Sequence, residues 1–212
     1  MNGNIINNGI YTEFNTEEDV DEWANENYGE WLEKLQRENY NCDCNDVADL
    51  LYCYTGSMNL IFNKILRGYL DFELEEDELK DFTNKINIIN TEISNFKLKE
   101  NIIVWRYTYK KFFEQLFESN KIKVGRKFIE KSFMSTTLLP KNLEEFALSN
   151  HYDTLLNICL TKGTNGAYVD FEKDGLNERE FLLPKGCKFK LIKKKFRLLR
   201  WPHYVYECEL IG

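Results

Sequence analysis

What most constrains this chain is a change in the spacing of its apolar residues about halfway along. Up to residue 98, apolar side chains recur three to four apart. Val20, Trp23, Asn27 or Tyr28, Trp31 and Leu35 form one such stripe, and Leu79, Phe82, Ile86, Ile89 and Ile93 another. That spacing puts side chains on one face of a helix. It predicts helices over residues 16–36, 46–54, 57–66 and 75–94. Asn15 or Thr16 is placed to cap the first, Ser57 the third, and Gly68 to end the third. From Asn101 onward the apolar residues come in short β-branched and aromatic runs, beginning Ile102-Ile103-Val104-Trp105. These predict strands at 101–107, within 128–137, and at 154–160, 167–171, 180–183, 187–193 and 204–210, with a short helix at 142–148. Residues 1–14 read as an irregular arm. Helices first and strands afterwards indicate an α+β fold, because a parallel α/β sheet needs the two to alternate.

The chain has 212 residues, 43% of them hydrophobic and 15% aromatic, enough for one substantial core. With no repeat or linker in view, residues 1–212 read as one domain, helical over 1–98 and mainly β over 99–212. The net charge of −7 argues against general nucleic-acid binding. No apolar run reaches the ~18 residues of a membrane helix, and the first residues lack the pattern of an export signal. Cys42-Asp43-Cys44 is too tight for a Cys-x-x-Cys knuckle and only His151 and His203 are available, so no metal is expected. The six cysteines read as reduced thiols. Lys185 to Arg200 is basic, suited either to an acidic partner or to a solvated strand edge.

Three polar signals fall at strand ends. Arg106 closes one strand, Ser135 closes another, and Glu178 and Glu180 open a third. In an extended segment the two glutamates share a side and Arg179 turns opposite. Taken singly, each has a plain structural explanation: a salt bridge for Arg106, a satisfied hydroxyl for Ser135, solvated acids for the glutamates.

Together, in this order, they resemble the Arg, Ser-Thr-Ser and Glu-x-Glu motifs of the bacterial mono-ADP-ribosyltransferase toxins, in particular the arginine-modifying, actin-type branch. Tyr54-Thr55-Gly56-Ser57, Asn63 and Leu66-Arg67-Gly68 are similar to that family's N-terminal helical signature. Ser132-Phe133-Met134-Ser135-Thr136-Thr137 is similar to its serine motif, and Glu178 through Gly186 to its glutamate strand. The resemblance implies a helical lobe packed on a two-sheet, mostly antiparallel β-sandwich. It also implies NAD as substrate, with no metal, and transfer of ADP-ribose to an arginine of a host protein such as actin. The protein would be a monomeric secreted or delivered toxin or effector acting in a target cell's cytosol. Glu180 would face the ribose, Ser135 would hold Glu180, Arg106 would bind NAD phosphate, and Glu178 would activate the acceptor arginine. Asn63 and Arg67 would lie near the phosphates and ribose, Tyr54 would line the cleft, and Phe146 would pack on nicotinamide. Asn63 also fits a helix-surface amide, Tyr54 a core tyrosine, and Phe146 a buried residue of a short helix. Phe171 or Leu176 would meet the protein substrate.

The departures are Thr137 for the third serine, Asn59 where many actin-modifying relatives carry tyrosine, and Tyr107 where some carry a second arginine. The related Rho-modifying enzymes carry Gln where this chain has Glu178. The alternatives are an NAD glycohydrolase, a Rho-type GTPase-modifying exoenzyme and an inactive binding module of the same fold. The length leaves no room for a second copy of the fold, as in a single-domain exoenzyme or an excised catalytic domain.

Overall fold

The first helix, α1 (Glu17–Leu35), starts where Thr16 accepts a hydrogen bond from the Asp19 amide and carries acids in its first turn, which suits the positive end of the helix dipole. It buries Val20, Trp23, Tyr28, Trp31 and Leu35, the stripe seen in the sequence. The computed structural model of the chain describes residues 2–6, 9–117, 122–171 and 177–212. Asp46 caps α2 (Val47–Cys53). The expected break at Thr55-Gly56-Ser57 falls at Gly56, whose backbone is non-helical and kinks the chain between α2 and α3. The kink lies within one wide π-helical turn, Tyr54–Met58, leading into α3 (Asn59–Arg67), which is preceded by Met58 with no side-chain cap rather than capped by Ser57. Gly56 absorbs the distortion at φ −82°, ψ −112°. The carbonyls of Tyr52 and Gly56 accept from Thr55 Oγ1 and Asn59 Nδ2 instead. Gly68 ends α3 in the left-handed conformation, its amide bonded to Lys64 and Ile65 carbonyls. Next comes α4 (Glu76–Ser94), opened by a capping box between Glu75 and Glu78.

The irregular arm expected at the start is instead two strands: β1 (Asn2–Ile6) and β2 (Gly9–Glu13) pair antiparallel, and Thr12 pairs with Ile102. The remaining strands are β3 (Ile102–Thr108), β4 (Lys127–Glu130), β5 (Met134–Thr137), β6 (Thr154–Leu160), β7 (Ala167–Val169), β8 (Glu180–Leu183), β9 (Cys187–Phe196) and β10 (Tyr204–Leu210). The single strand expected within 128–137 is two, because Glu130 turns inward and bonds Ser132. Two short helices complete the chain: α5 (Lys110–Leu116), which has no counterpart in the sequence reading, and α6 (Glu144–Ser149) after a 3-10 turn.

The strand order is β4-β9-β10-β6-β3-β5-β8-β7, antiparallel apart from the β6–β10 and β2–β3 pairs. The two expected sheets are recognisable as the groups on either side of β3–β5. They meet through one residue pair, Trp105 with Thr137, so pairing is continuous. Helix α1 lies on β7–β8, with Trp23 and Tyr28 packed against Tyr168 and Phe181. A Cβ at Gly166 would sit 2.7 Å from the Phe181 ring, so only glycine fits this approach. The basic strand β9 pairs with β4 only over residues 187–190 and with β10 over 189–196, so its lysine-rich end, 193–196, is a solvated edge on which Lys193 and Lys195 face Glu207.

The cysteine expectation needs correction. Cys42 and Cys53 form a disulfide, with Cα atoms 5.8 Å apart, while Cys44, Cys159, Cys187 and Cys208 are free thiols. Stacking of Tyr40 on Tyr52, ring centroids 3.8 Å apart, brings the polar loop carrying Cys42 against α2.

Candidate active site

Beside the junction of the two strand groups lies a cavity of about 690 Å³. Its walls include Tyr54, Asn63, Arg67, Arg106, Ser135, Phe146, Glu178 and Glu180, the eight residues picked out in the sequence. They come from the π-helical turn, α3, β3, β5, α6 and the start of β8.

Arg106 sits on β3 next to the Trp105–Thr137 pair. Its Nη1 donates to the Ser135 carbonyl at 2.6 Å, and its Nε is buried with no hydrogen-bond partner among the described residues. A buried guanidinium nitrogen left unsatisfied is costly, and an anion in the cavity would relieve it. On β5, Ser135 stands opposite Leu182 and Thr137 opposite Glu180. Directly paired residues share a face, as do residues two apart, so Ser135 and Glu180 lie on one face of adjacent strands. The Ser135 contact found is main-chain, to Arg106. Thr137, which replaces the expected serine, uses its hydroxyl to accept from the Leu139 amide at 3.0 Å and so fixes the turn.

Glu180 is the first residue of β8 and is 4% exposed, whereas Glu178 precedes the strand and is half-buried. Both line the cavity and Arg179 lines another, beside α1. The acids thus share a side as expected, by a different route: Arg179 is left-handed at φ 46° rather than extended.

Tyr54 is both core and cleft. It is 1% exposed, packs edge-on to Phe133 at 5.3 Å and lies 3.4 Å from Asn63 Nδ2. Burial raises its pKa, and the nearby Glu180 charge raises it further. Arg67 lines the cavity, but its nearest partner is protein. Nε and Nη2 bind the two oxygens of Glu130 at 3.0 Å each, and its guanidinium lies 4.7 Å from the Phe112 ring. Glu130 is 1% exposed and also accepts from the Ser132 amide and hydroxyl. A carboxylate buried this deeply needs a cation, which explains why Arg67 turns to it and leaves Nη1 as the remaining nitrogen of its fork. Phe146 is 38% exposed at the rim, edge-on to Tyr152 at 6.2 Å, and is not a buried helix residue.

Tyr107 and Tyr152 also line the cavity; the sequence marked Tyr107 only as a departure from the family pattern, and Tyr152 was missed. Trp201 holds them there by stacking on Tyr107 at 5.3 Å and donating to the Tyr152 carbonyl at 2.7 Å. No local pattern marks this contact, since its partners are distant in sequence. Phe171 packs edge-on against Tyr40 and Tyr52 at 5.6 Å rather than projecting, and Leu176 lies outside the described residues. Among the described residues no group of His, Cys, Asp and Glu could hold a metal, and no helix is long and apolar enough to cross a membrane.

A cationic side chain, a hydroxyl and two acids around one cleft suit a phosphate-bearing substrate on which positive charge develops at the reacting carbon. The model of the ADP-ribosyltransferase exoenzyme family matches residues 20–199, and the chain belongs to that family. It is 30% identical over 139 residues to the NAD(+)–arginine ADP-ribosyltransferase EFV of Enterococcus faecalis. The match covers 64% of this chain and 26% of that protein, so the chain corresponds to about a quarter of this curated relative's length. Among solved structures, BECa, an ADP-ribosylating toxin of a binary enterotoxin of C. perfringens, is similar in fold. Its TM-score is 0.73 at 23% identity, over 95% of this chain and 50% of that one. Plx2a, an ADP-ribosyltransferase toxin from Paenibacillus larvae, gives 0.67 at 22% identity, over 92% and 96% of the two chains.

Proposed function

We propose that this protein transfers ADP-ribose from NAD to an arginine of a target protein and releases nicotinamide. The observation that carries this is the convergence of Arg106, Ser135, Glu178 and Glu180 on one cavity. Family membership and the printed name of the Enterococcus relative support it.

In this scheme the bond from the ribose to the nicotinamide nitrogen breaks, its electron pair leaves with nicotinamide, and positive charge develops on the ribose. The Glu180 carboxylate faces that charge and stabilises it more in the transition state than in the substrate. Ser135 orients Glu180. Arg106 holds phosphate through the nitrogens not given to Ser135, helped by Asn63 and the Nη1 of Arg67. Tyr54 forms the floor and Phe146 closes over the nicotinamide. Glu178 takes a proton from the acceptor guanidinium, which is otherwise fully protonated and a poor nucleophile, and a guanidinium nitrogen then bonds the ribose carbon. A glutamate at 178 favours arginine over the asparagine acceptor of Rho-modifying enzymes, which carry Gln there. We place the reaction in a target cell's cytosol after secretion or delivery, with actin as the first acceptor to test and residues 1–212 acting as one monomeric catalytic unit.

The test is labelled NAD with and without cell lysate, followed by mass spectrometry of the labelled proteins. ADP-ribose on an arginine is the expected result. Nicotinamide release unchanged by lysate, with no labelled protein, would make the enzyme a glycohydrolase. Neither product would make the chain a binding module.

A further inference from the structure

The residue between the two glutamates has a role of its own. Arg179 has φ 46°, a region where non-glycine residues are uncommon and strained unless the surroundings impose them. The surroundings here are specific. The side chain is 13% exposed and lies among three carboxylates. Nη1 donates to Asp170 Oδ2 at 2.9 Å, and Nη2 to Asp21 Oδ2 at 3.1 Å and Glu17 Oε2 at 3.4 Å. Tyr168 donates to the same Asp170 oxygen at 2.9 Å. The main chain is held as well, since the Arg179 carbonyl accepts from the Leu138 amide at 3.0 Å.

Glu17, in the first turn of α1, is the hub. Besides Arg179, it accepts from Asn177 Nδ2 at 3.0 Å and Asn142 Nδ2 at 3.1 Å. First-turn acids are common on any helix because of its dipole, but that does not bring three donors from two other segments to one carboxylate. Asn142 also donates to the Asn177 carbonyl at 3.2 Å. The backbone on both sides of Glu178 is therefore clamped to α1 through side chains.

Glu180 is held differently. It belongs to β8 and is fixed by pairing opposite Thr137 and Val169. Glu178 lies before the strand, outside that ladder.

We infer that Arg179 is a positioning residue which, clamped to Glu17, Asp21 and Asp170, sets Glu178 in register with Glu180 and so couples acceptor activation to cleavage of NAD. The inference rests on the division of labour proposed above. Loss of the clamp loosens the chain on both sides of Glu178 while the sheet keeps Glu180 in place, so transfer suffers more than hydrolysis.

The experiment compares Arg179→Ala, Arg179→Lys, the double variant Glu17→Gln/Asp21→Asn, and Glu178→Gln. Two rates are read: transfer from NAD to agmatine, a small guanidine, and nicotinamide release without acceptor. The urea midpoint reports folding. Glu17 and Asp21 are about half exposed, so their neutral replacements leave α1 folded. For Arg179→Ala and the double variant, transfer falls about tenfold more than nicotinamide release, and Arg179→Lys, which keeps the charge, falls less. Equal losses in both rates, or none, while Glu178→Gln selectively loses transfer, would overturn the inference. A crystal structure of Arg179→Ala gives a readout independent of activity. Glu178 is expected to move while Glu180 stays opposite Thr137, and a Glu178 left in place would overturn the inference even if its catalytic role proved to be different.

Discussion

Arg106 Nη1 and the main-chain carbonyl of Ser135 are joined by a 2.6 Å hydrogen bond across the junction of the two strand groups. That junction has a single ladder pair, Trp105 with Thr137. The bond therefore adds to the connection between β3 and β5 at the point where both face the cavity. One guanidinium serves two tasks: it ties the strands, and it leaves nitrogens for a ligand.

Arg106→Lys should separate those tasks. A lysine ammonium is a point charge without the planar fork, so it cannot hold the Ser135 carbonyl and a phosphate in the same geometry. NAD titration should give a Kd raised by about tenfold or more, with a smaller change in the urea midpoint. An unchanged Kd would remove Arg106 from the binding site.

Glu130→Ala should destabilise the fold. The carboxylate is 1% exposed and holds Arg67, the Ser132 amide and the Ser132 hydroxyl. Breaking one side of a buried pair costs about 3–5 kcal/mol, to be read from denaturant unfolding. A loss below about 1 kcal/mol would mean that water replaces the carboxylate at little cost.

Stability should fall at alkaline pH. Burial pushes the thiols of Cys159 and Cys187 and the phenol of Tyr206 up to about 12, from ordinary values of 9.0, 9.0 and 10.0. These groups are raised in the folded state, so above pH 9 the unfolded chain binds fewer protons than the native one. Their stabilising contribution is complete below pH 9 and is lost between pH 9 and 12. The urea midpoint should decline over that interval. A midpoint rising above pH 9 would contradict the burial of these side chains.

The helical half was legible because its apolar stripes are long. The α1 and α4 stripes run over five turns and outweigh local noise. The cavity-lining set was legible because Arg106, Ser135 and Glu180 lie in motifs that are contiguous in sequence. What the chain did not reveal depends on short or distant contacts. The seven residues of α5 are too few to display a period. Strand β2 is fixed by pairing with β1 and Ile102, contacts that no local pattern marks. At Tyr54–Met58 the break at Gly56 was legible, but the wide turn joining the two helices across it was not, since it depends on side-chain bonds from Thr55 and Asn59 to the Tyr52 and Gly56 carbonyls. Phe171 was expected to meet a partner protein, and it packs on Tyr40 and Tyr52 because a disulfide and a stacked pair make a surface for it.

The most direct measurement is a crystal structure of the protein with NAD bound. The account predicts NAD in the cavity lined by Arg106 and Glu180, with a phosphate on the Arg106 guanidinium and a nicotinamide-ribose hydroxyl within hydrogen-bond distance of Glu180. NAD seated elsewhere, or in this cavity with its ribose turned away from Glu180, would contradict it.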